Sequence, residues 1–133
     1  MIFVDTNLFL RLLLADVEKQ HQEAVAFFKK AVNGEIKCFS STIVFFEIYW
    51  LLKSQYKKAK NDIYKTLNGI LLMKTVYFAE EELLQKAIEI YKDTNLGLED
   101  SYNIVYSKAG KAVGFKTFDR KLSNYLRRQN VVR

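Results

Sequence analysis

The sequence predicts an α/β domain, a three-layer α/β/α sandwich whose central, mostly parallel sheet has four to five strands. Three observations predict it. Short β-rich runs alternate with longer stretches of helical periodicity, the pattern of strands joined by crossover helices. Those runs are short and mainly apolar, as the strands of a buried parallel sheet are. Hydrophobic residues make up 50% of the 133, enough to build one core over residues 1–133, and no linker, repeat or low-complexity stretch divides the chain.

Ile2–Val4 reads as the first strand and Leu8–Leu14 as the helix after it, which Asp5, ahead of Thr6 and Asn7, could cap. Glu18–Val32 carries the second helical pattern, with Gly34 where a C-cap glycine belongs. Lys37–Phe39 is the second strand, and Ile43–Tyr56 is the helix that leaves it, starting near Thr42. Asp62–Leu72 is a further helix, Thr75–Phe78 the third strand, and Glu82–Lys92 and Ser101–Ala109 the next two helices, the latter ended by Gly110. Val113–Phe118 reads as a fourth strand and Arg120 to Arg128 as the last helix, which Asp119 could cap; Val131-Val132 offers a final edge strand.

Composition excludes several classes. No segment reaches the roughly 18 uninterrupted apolar residues of a membrane span, and Met1-Ile2-Phe3-Val4-Asp5 has neither the basic lead nor the cleavage region of a signal peptide. The single cysteine, Cys38, forms no internal disulfide and fits a small buried strand position, in keeping with a reducing cytoplasm. The net charge of +6 is unevenly spread: Lys108 to Arg133 holds eight basic residues and one acid, whereas Glu80 to Asp100 holds seven acids and two lysines. A basic terminal quarter suits a polyanion such as nucleic acid, although a solvated charged face has the same composition.

Glu47 stands out. It is the one charged residue in Ile43–Leu52, where the other nine of ten are apolar or aromatic. A carboxylate taken from water without a partner loses several kcal/mol. Its helical neighbours Ile43, Val44, Trp50 and Leu51 offer no ion pair, and Val44 occupies the position a capping box would give to Ser or Thr. Either Glu47 points out of an otherwise buried helix, or it meets a cation brought by another segment.

In open parallel sheets the working site lies outside the carboxyl ends of the strands. Asp5 closes the first strand and Asp119 the fourth; Glu47 sits about a turn into the helix after the second, and Asp100 opens the helix after Gly97-Leu98-Glu99. Singly, the aspartates have ordinary duties as caps or dipole partners. Together, four carboxylates from four segments would repel one another on one rim and raise each other's proton affinity. A hard divalent ion such as Mg2+ or Mn2+ resolves that repulsion, preferring oxygen ligands and keeping waters that a substrate phosphate can replace.

These residues carry a resemblance. Met1-Ile2-Phe3-Val4-Asp5-Thr6-Asn7, the Glu inside an apolar helix, Glu99-Asp100 at a helix start and Lys116-Thr117-Phe118-Asp119-Arg120 are similar to the motifs of PIN-domain nucleases, over essentially the whole chain and in their expected order. The size resembles most closely the VapC-type toxins of prokaryotic toxin–antitoxin systems. Ser101-Tyr102-Asn103 departs from the small apolar residues more usual there, and the last strand is nearly absent. The resemblance implies a PIN-like fold and a Mg2+- or Mn2+-dependent endoribonuclease with Asp5, Glu47, Asp100 and Asp119 as its catalytic, metal-binding acids. Asp5 and Asp100 would be the most direct ligands, with Glu47 and Asp119 acting through water. Thr117 would hydrogen-bond the cluster or substrate, Asn7 would order the rim, and Arg11, Arg120 and Lys121 would contact RNA phosphates. It further implies a cytoplasmic protein, a homodimer and a small VapB-like antitoxin that occupies the nuclease groove; the apolar run around Trp50 could serve such a surface or simply be core.

Other classes fit less well. A receiver-like Mg2+-binding module needs an acidic pair after the first strand, and only Asp5 is there; a haloacid-dehalogenase-type phosphatase needs Asp-x-Asp, and position 7 is Asn. A catalytically lapsed PIN-like or receiver-like interaction module stays as the alternative that metal-dependent turnover would separate. His21, the only histidine, lies in the polar stretch Lys19–Gln22 and reads as a surface residue.

Overall fold

The computed structural model describes residues 1–129; the Val131-Val132 strand expected above lies outside them. The chain runs β1 (Ile2–Phe3), α1 (Thr6–Leu14), α2 (Glu18–Val32), β2 (Cys38–Ser40), α3 (Thr42–Ser54), α4 (Lys60–Leu72), β3 (Val76–Phe78), α5 (Glu81–Asp93), α6 (Leu98–Ala109) and α7 (Arg120–Gln129). The strands form an open parallel sheet in the order β1-β2-β3, with Phe3 in register with Phe39, and Phe39 with Tyr77. This is the expected α/β architecture. Cys38, Ser40, Val76 and Phe78 face into the main core beside Phe9, Phe45, Ile48 and Leu84, while Phe3, Phe39 and Tyr77 share the accessible face. α1 packs on α2, α4 on α5 and α5 on α6, and α3 touches α1, α4 and α6, so it is the hub through which the site's elements are held.

The sheet has three strands among the described residues rather than four to five. Val113–Phe118 is not a strand: Val113 and Phe118 are fully exposed, and no ladder forms against β1. Two local demands explain it. Phe115 packs into a small second core with Leu96, Ile104 and Leu122 of the α5–α6 loop, α6 and α7. Thr117 and Asp119 spend their hydrogen bonds starting α7, Thr117 Oγ1 accepting from Asp119 N–H at 3.1 Å and Asp119 Oδ1 from Leu122 N–H at 2.8 Å.

The two expected C-cap glycines differ. At the end of α2, Gly34 takes φ +80°, and the N–H groups of Gly34 and Glu35 reach the carbonyls of Ala31 and Lys30 at 3.1 and 3.0 Å, a Schellman motif. At the end of α6 the same pair of bonds forms from Lys111 and Ala112, so Lys111, at φ 57°, occupies the left-handed position and Gly110 does not. No atom crowds the space a Cβ would fill at Gly34. Gly34→Ala is therefore expected to destabilise the fold by backbone strain alone, about 1 kcal/mol, read as a lower denaturant midpoint with an unchanged slope.

Candidate nuclease site

The carboxyl ends of the strands feed the rim. β1 ends in Val4, whose carbonyl accepts a bond of 2.7 Å from the buried Ser40 hydroxyl, so the exits of β1 and β2 are tied together. Asp5 follows as N-cap residue of α1, but its side chain makes no capping bond, and it is exposed. The capping alternative fails for Asp5, and its carboxylate is left over for other work. Asn7, one residue into the helix, is exposed beside it.

Glu47 is not buried. α3 starts at Ser41, whose hydroxyl accepts from Val44 N–H at 3.1 Å, and the helix then turns Val44, Phe45, Ile48, Tyr49 and Leu52 into the core. Ile43, Glu47 and Trp50 fall on the opposite, exposed face. The full desolvation penalty of a buried carboxylate therefore does not apply to Glu47, because the helix is apolar on both sides and Glu47 lies on its accessible one. It still gains a partner from another segment, since the buried Thr6 hydroxyl donates to its carboxylate. Thr6 follows Asp5 directly in sequence, so that bond ties Glu47 to the segment that carries Asp5.

α6 is set against α3 by Tyr49. Its buried hydroxyl accepts from Leu98 N–H at 3.4 Å, at the first turn of α6, and its ring meets Tyr91 edge-on at 5.5 Å. Gly97 fits beneath; a Cβ there would stand 3.2 Å from Glu99 Oε1 and 3.5 Å from the Tyr49 hydroxyl. Glu80 adds a second tie, accepting from the Thr42 hydroxyl of α3 at 2.6 Å and the Tyr102 hydroxyl of α6 at 2.7 Å. Burial, then that carboxylate, pushes the Tyr102 phenol up to about 12. Neither Tyr49 nor Glu80 was legible as a site-building residue, because each acts only across the tertiary fold.

Asp100, in the first turn of α6, is half-buried. Burial, then the neighbouring carboxylates of Asp119 and Glu99, hold its carboxyl above the usual carboxylate range, while Lys121 pulls the other way. Asp100 and Asp119 are therefore electrostatic neighbours although 19 residues apart in sequence. Asp119 is also the cap of α7, so one of its oxygens is engaged and the other is open. Thr117 is half-buried and committed to that turn.

The basic residues divide. Arg11 is held by Asp16 at 2.6 Å, so its expected phosphate contact requires exchange of that partner. Lys121 Nζ donates to the Asn95 carbonyl at 3.0 Å, and Arg120 is exposed in the first turn of α7. His21 is half-buried, with Nδ1 at 2.8 Å from the Arg11 carbonyl, where it joins α2 to α1.

The donor set suits a hard cation in kind. Among the described residues no three His, Cys, Asp or Glu side chains converge as a ready-made cage. Mg2+ does not require one, since it is commonly held by one or two carboxylates, waters and substrate phosphate. Burial raises Asp100's proton affinity first, and the added repulsion from Asp119 and Glu99 is the part a cation relieves.

Among the described residues no helix is long and apolar enough to cross a membrane. A comparison with curated proteins returns no match. The family model of the PIN domain matches residues 2–127, nearly the full chain. The chain belongs to the PIN-domain family of nucleases.

Proposed function

We propose that this protein is a Mg2+- or Mn2+-dependent endoribonuclease, the toxin of a VapBC-type toxin–antitoxin pair, with Asp5, Glu47, Asp100 and Asp119 as its working acids. Membership of the PIN family supports a nucleic-acid hydrolase. The observation that carries the site assignment is the raised proton affinity of Asp100 at the start of α6, caused by burial and then by the Asp119 carboxylate at the start of α7, with Lys121 pulling the other way. When bound, a divalent ion supplies charge neutralisation at the phosphate and a water acidic enough to attack near neutral pH.

The chain's residues divide the remaining work. The carboxylates of Asp5 and Asp100, which make no side-chain hydrogen bond among the described residues, would be the direct oxygen donors. Glu47, oriented by Thr6, and the open oxygen of Asp119 would accept hydrogen bonds from the attacking water. The water oxygen would bond to phosphorus as the P–O bond to the leaving strand breaks, the water's proton passing to a rim carboxylate and the leaving oxygen taking a proton from bulk water. Asn7 and Thr117 would steady the rim, and Arg120, Lys121 and a released Arg11 would hold flanking phosphates, giving a salt-dependent affinity. A homodimer, a VapB-like antitoxin and a cytoplasmic setting complete this reading.

The test is RNA cleavage by purified protein with Mg2+ or Mn2+, with EDTA, and with Glu47→Gln. Cleavage is expected only with metal, and weakly in the variant. Activity that survives both chelation and the substitution would sink the proposal.

A further inference from the structure

The exposed face of α3 and the first turns of α6 enclose an open groove of about 510 Å3. Its walls are Ile43, Phe46, Trp50 and Tyr102, and its polar edge is Glu47 and Glu99. Phe46 meets Tyr102 edge-on at 5.3 Å, and Tyr102 stacks on Tyr106 at 5.7 Å, so the aromatic surface continues along α6. Trp50 is 54% exposed and Tyr106 55%, so the rings form a contiguous accessible patch of the kind that marks a binding surface.

We propose that this groove takes an unpaired nucleobase of single-stranded RNA next to the bond that is cut, and that Glu99 reads the base edge with a preference for guanine. The inference rests on the nuclease reading for its position: Glu47 belongs both to the acidic rim and to the groove, so a strand whose phosphate lies at the rim places an adjacent nucleotide here. Charge decides which part of that nucleotide enters. Two carboxylates repel the sugar–phosphate backbone, which the basic last quarter of the chain suits better. A neutral base stacks on aromatic faces whatever its identity.

Glu99 then discriminates. It is exposed, and no hydrogen bond or ion pair engages it among the described residues, whereas Glu47 is already engaged by Thr6. An ionised carboxylate only accepts hydrogen bonds. Guanine alone offers two adjacent donors, N1–H and the exocyclic amine, to its two oxygens. Uracil flanks its single N–H with carbonyls that a carboxylate repels, and adenine and cytosine each place a ring acceptor beside the amine.

Trp50 is the only tryptophan, so its fluorescence reports on the groove without reference to turnover. The full chain, in EDTA and low salt, is titrated with a short single-stranded oligouridine carrying one guanosine, with its inosine counterpart and with the all-uridine strand. The guanosine strand is expected to quench Trp50 and to bind about tenfold more tightly than the inosine strand, which lacks one donor. Glu99→Gln should remove most of that difference, and Trp50→Ala should weaken binding about tenfold by anisotropy of a labelled strand. Equal titrations for the three strands overturn the guanine preference. Absence of quenching, quenching only by an arginine-rich peptide, or a dimer that shields Trp50 from a soluble quencher overturns the groove. Cleavage in Mg2+ without quenching sinks this inference alone, whereas quenching without cleavage upholds base binding in the groove but sinks the nuclease reading and with it the position beside a cut bond.

Discussion

Asp100→Asn is expected to abolish RNA cleavage while raising the melting temperature in metal-free buffer. The two effects have one cause. Burial and the carboxylates of Asp119 and Glu99 make the charged form of Asp100 unfavourable in the folded state. The amide keeps the shape and removes the charge, so the repulsion goes with it. Turnover should fall by more than about 100-fold, the loss that removing even an outer partner of a metal ligand reaches. The pH dependence has a definite sign. Because the folded state holds this proton more tightly than the unfolded chain, it binds more protons between the ordinary carboxylate range and the raised value, and wild-type stability falls as pH rises through that window. The difference in melting temperature between variant and wild type should therefore be present at neutral pH and vanish in acid below the ordinary carboxylate range. Added Mg2+ should stabilise the wild type by mass action, by about 2.7 kcal/mol at a hundredfold excess over its dissociation constant, and the variant by much less. Thermal scans across pH, with and without Mg2+, check each part. A variant that melts lower at neutral pH would instead assign Asp100 to the dipole of α6.

The contrast between what the sequence showed and what it hid follows from range. The seven helices fall within a few residues of their expected bounds, because amphipathic spacing and caps are local properties. Three of the expected strands form for the same reason. Val113–Phe118 has comparable composition, but its fate is settled by competition: Phe115 finds a core against α6 and α7, and a two-residue β1 offers little ladder to join. Which way Glu47 points, left open in the sequence between an outward face and a distant cation, is likewise set beyond the local pattern. Nine apolar neighbours suggested burial on all sides, yet residues 43, 47 and 50 turn to one face at about 100° per residue, and the rings on that face line a groove. Its partner Thr6 lies 41 residues away, beyond any local pattern.

Lys60→Met is expected to cost about 3 kcal/mol of stability and to lower nuclease activity without touching the acids. Nothing in the sequence marks this lysine, which stands at the start of α4 among other charged residues. In the fold its half-buried ammonium donates to the carbonyls of Tyr91 and Thr94 at 2.7 and 2.6 Å, and lies 4.3 Å from the centre of the Tyr91 ring. These carbonyls sit at the end of α5, where a cation meets both unpaired acceptors and the negative end of the helix dipole. The turn so fixed leads within a few residues to Gly97 and Asp100, and Lys121 grips the same turn from α7 through Asn95. Methionine keeps the stem's packing but leaves two charge-assisted bonds unmade and their acceptors poorly solvated. Burial, with Lys121 and Lys53 nearby, lowers Lys60's proton affinity. The folded state therefore releases this proton first on the alkaline side, and in that window the wild type should gain stability relative to the unfolded chain as pH rises, a slope that Lys60→Met lacks. Lys60→Arg, retaining charge and donors, should recover part of the stability. A positioning role predicts that activity falls for Lys60→Met even well below its melting temperature and that the Mg2+ concentration for half-maximal cleavage rises. If chemical denaturation shows the lost stability while Mg2+ dependence and turnover stay at wild-type values, Lys60 holds the fold and has no hand in placing Asp100.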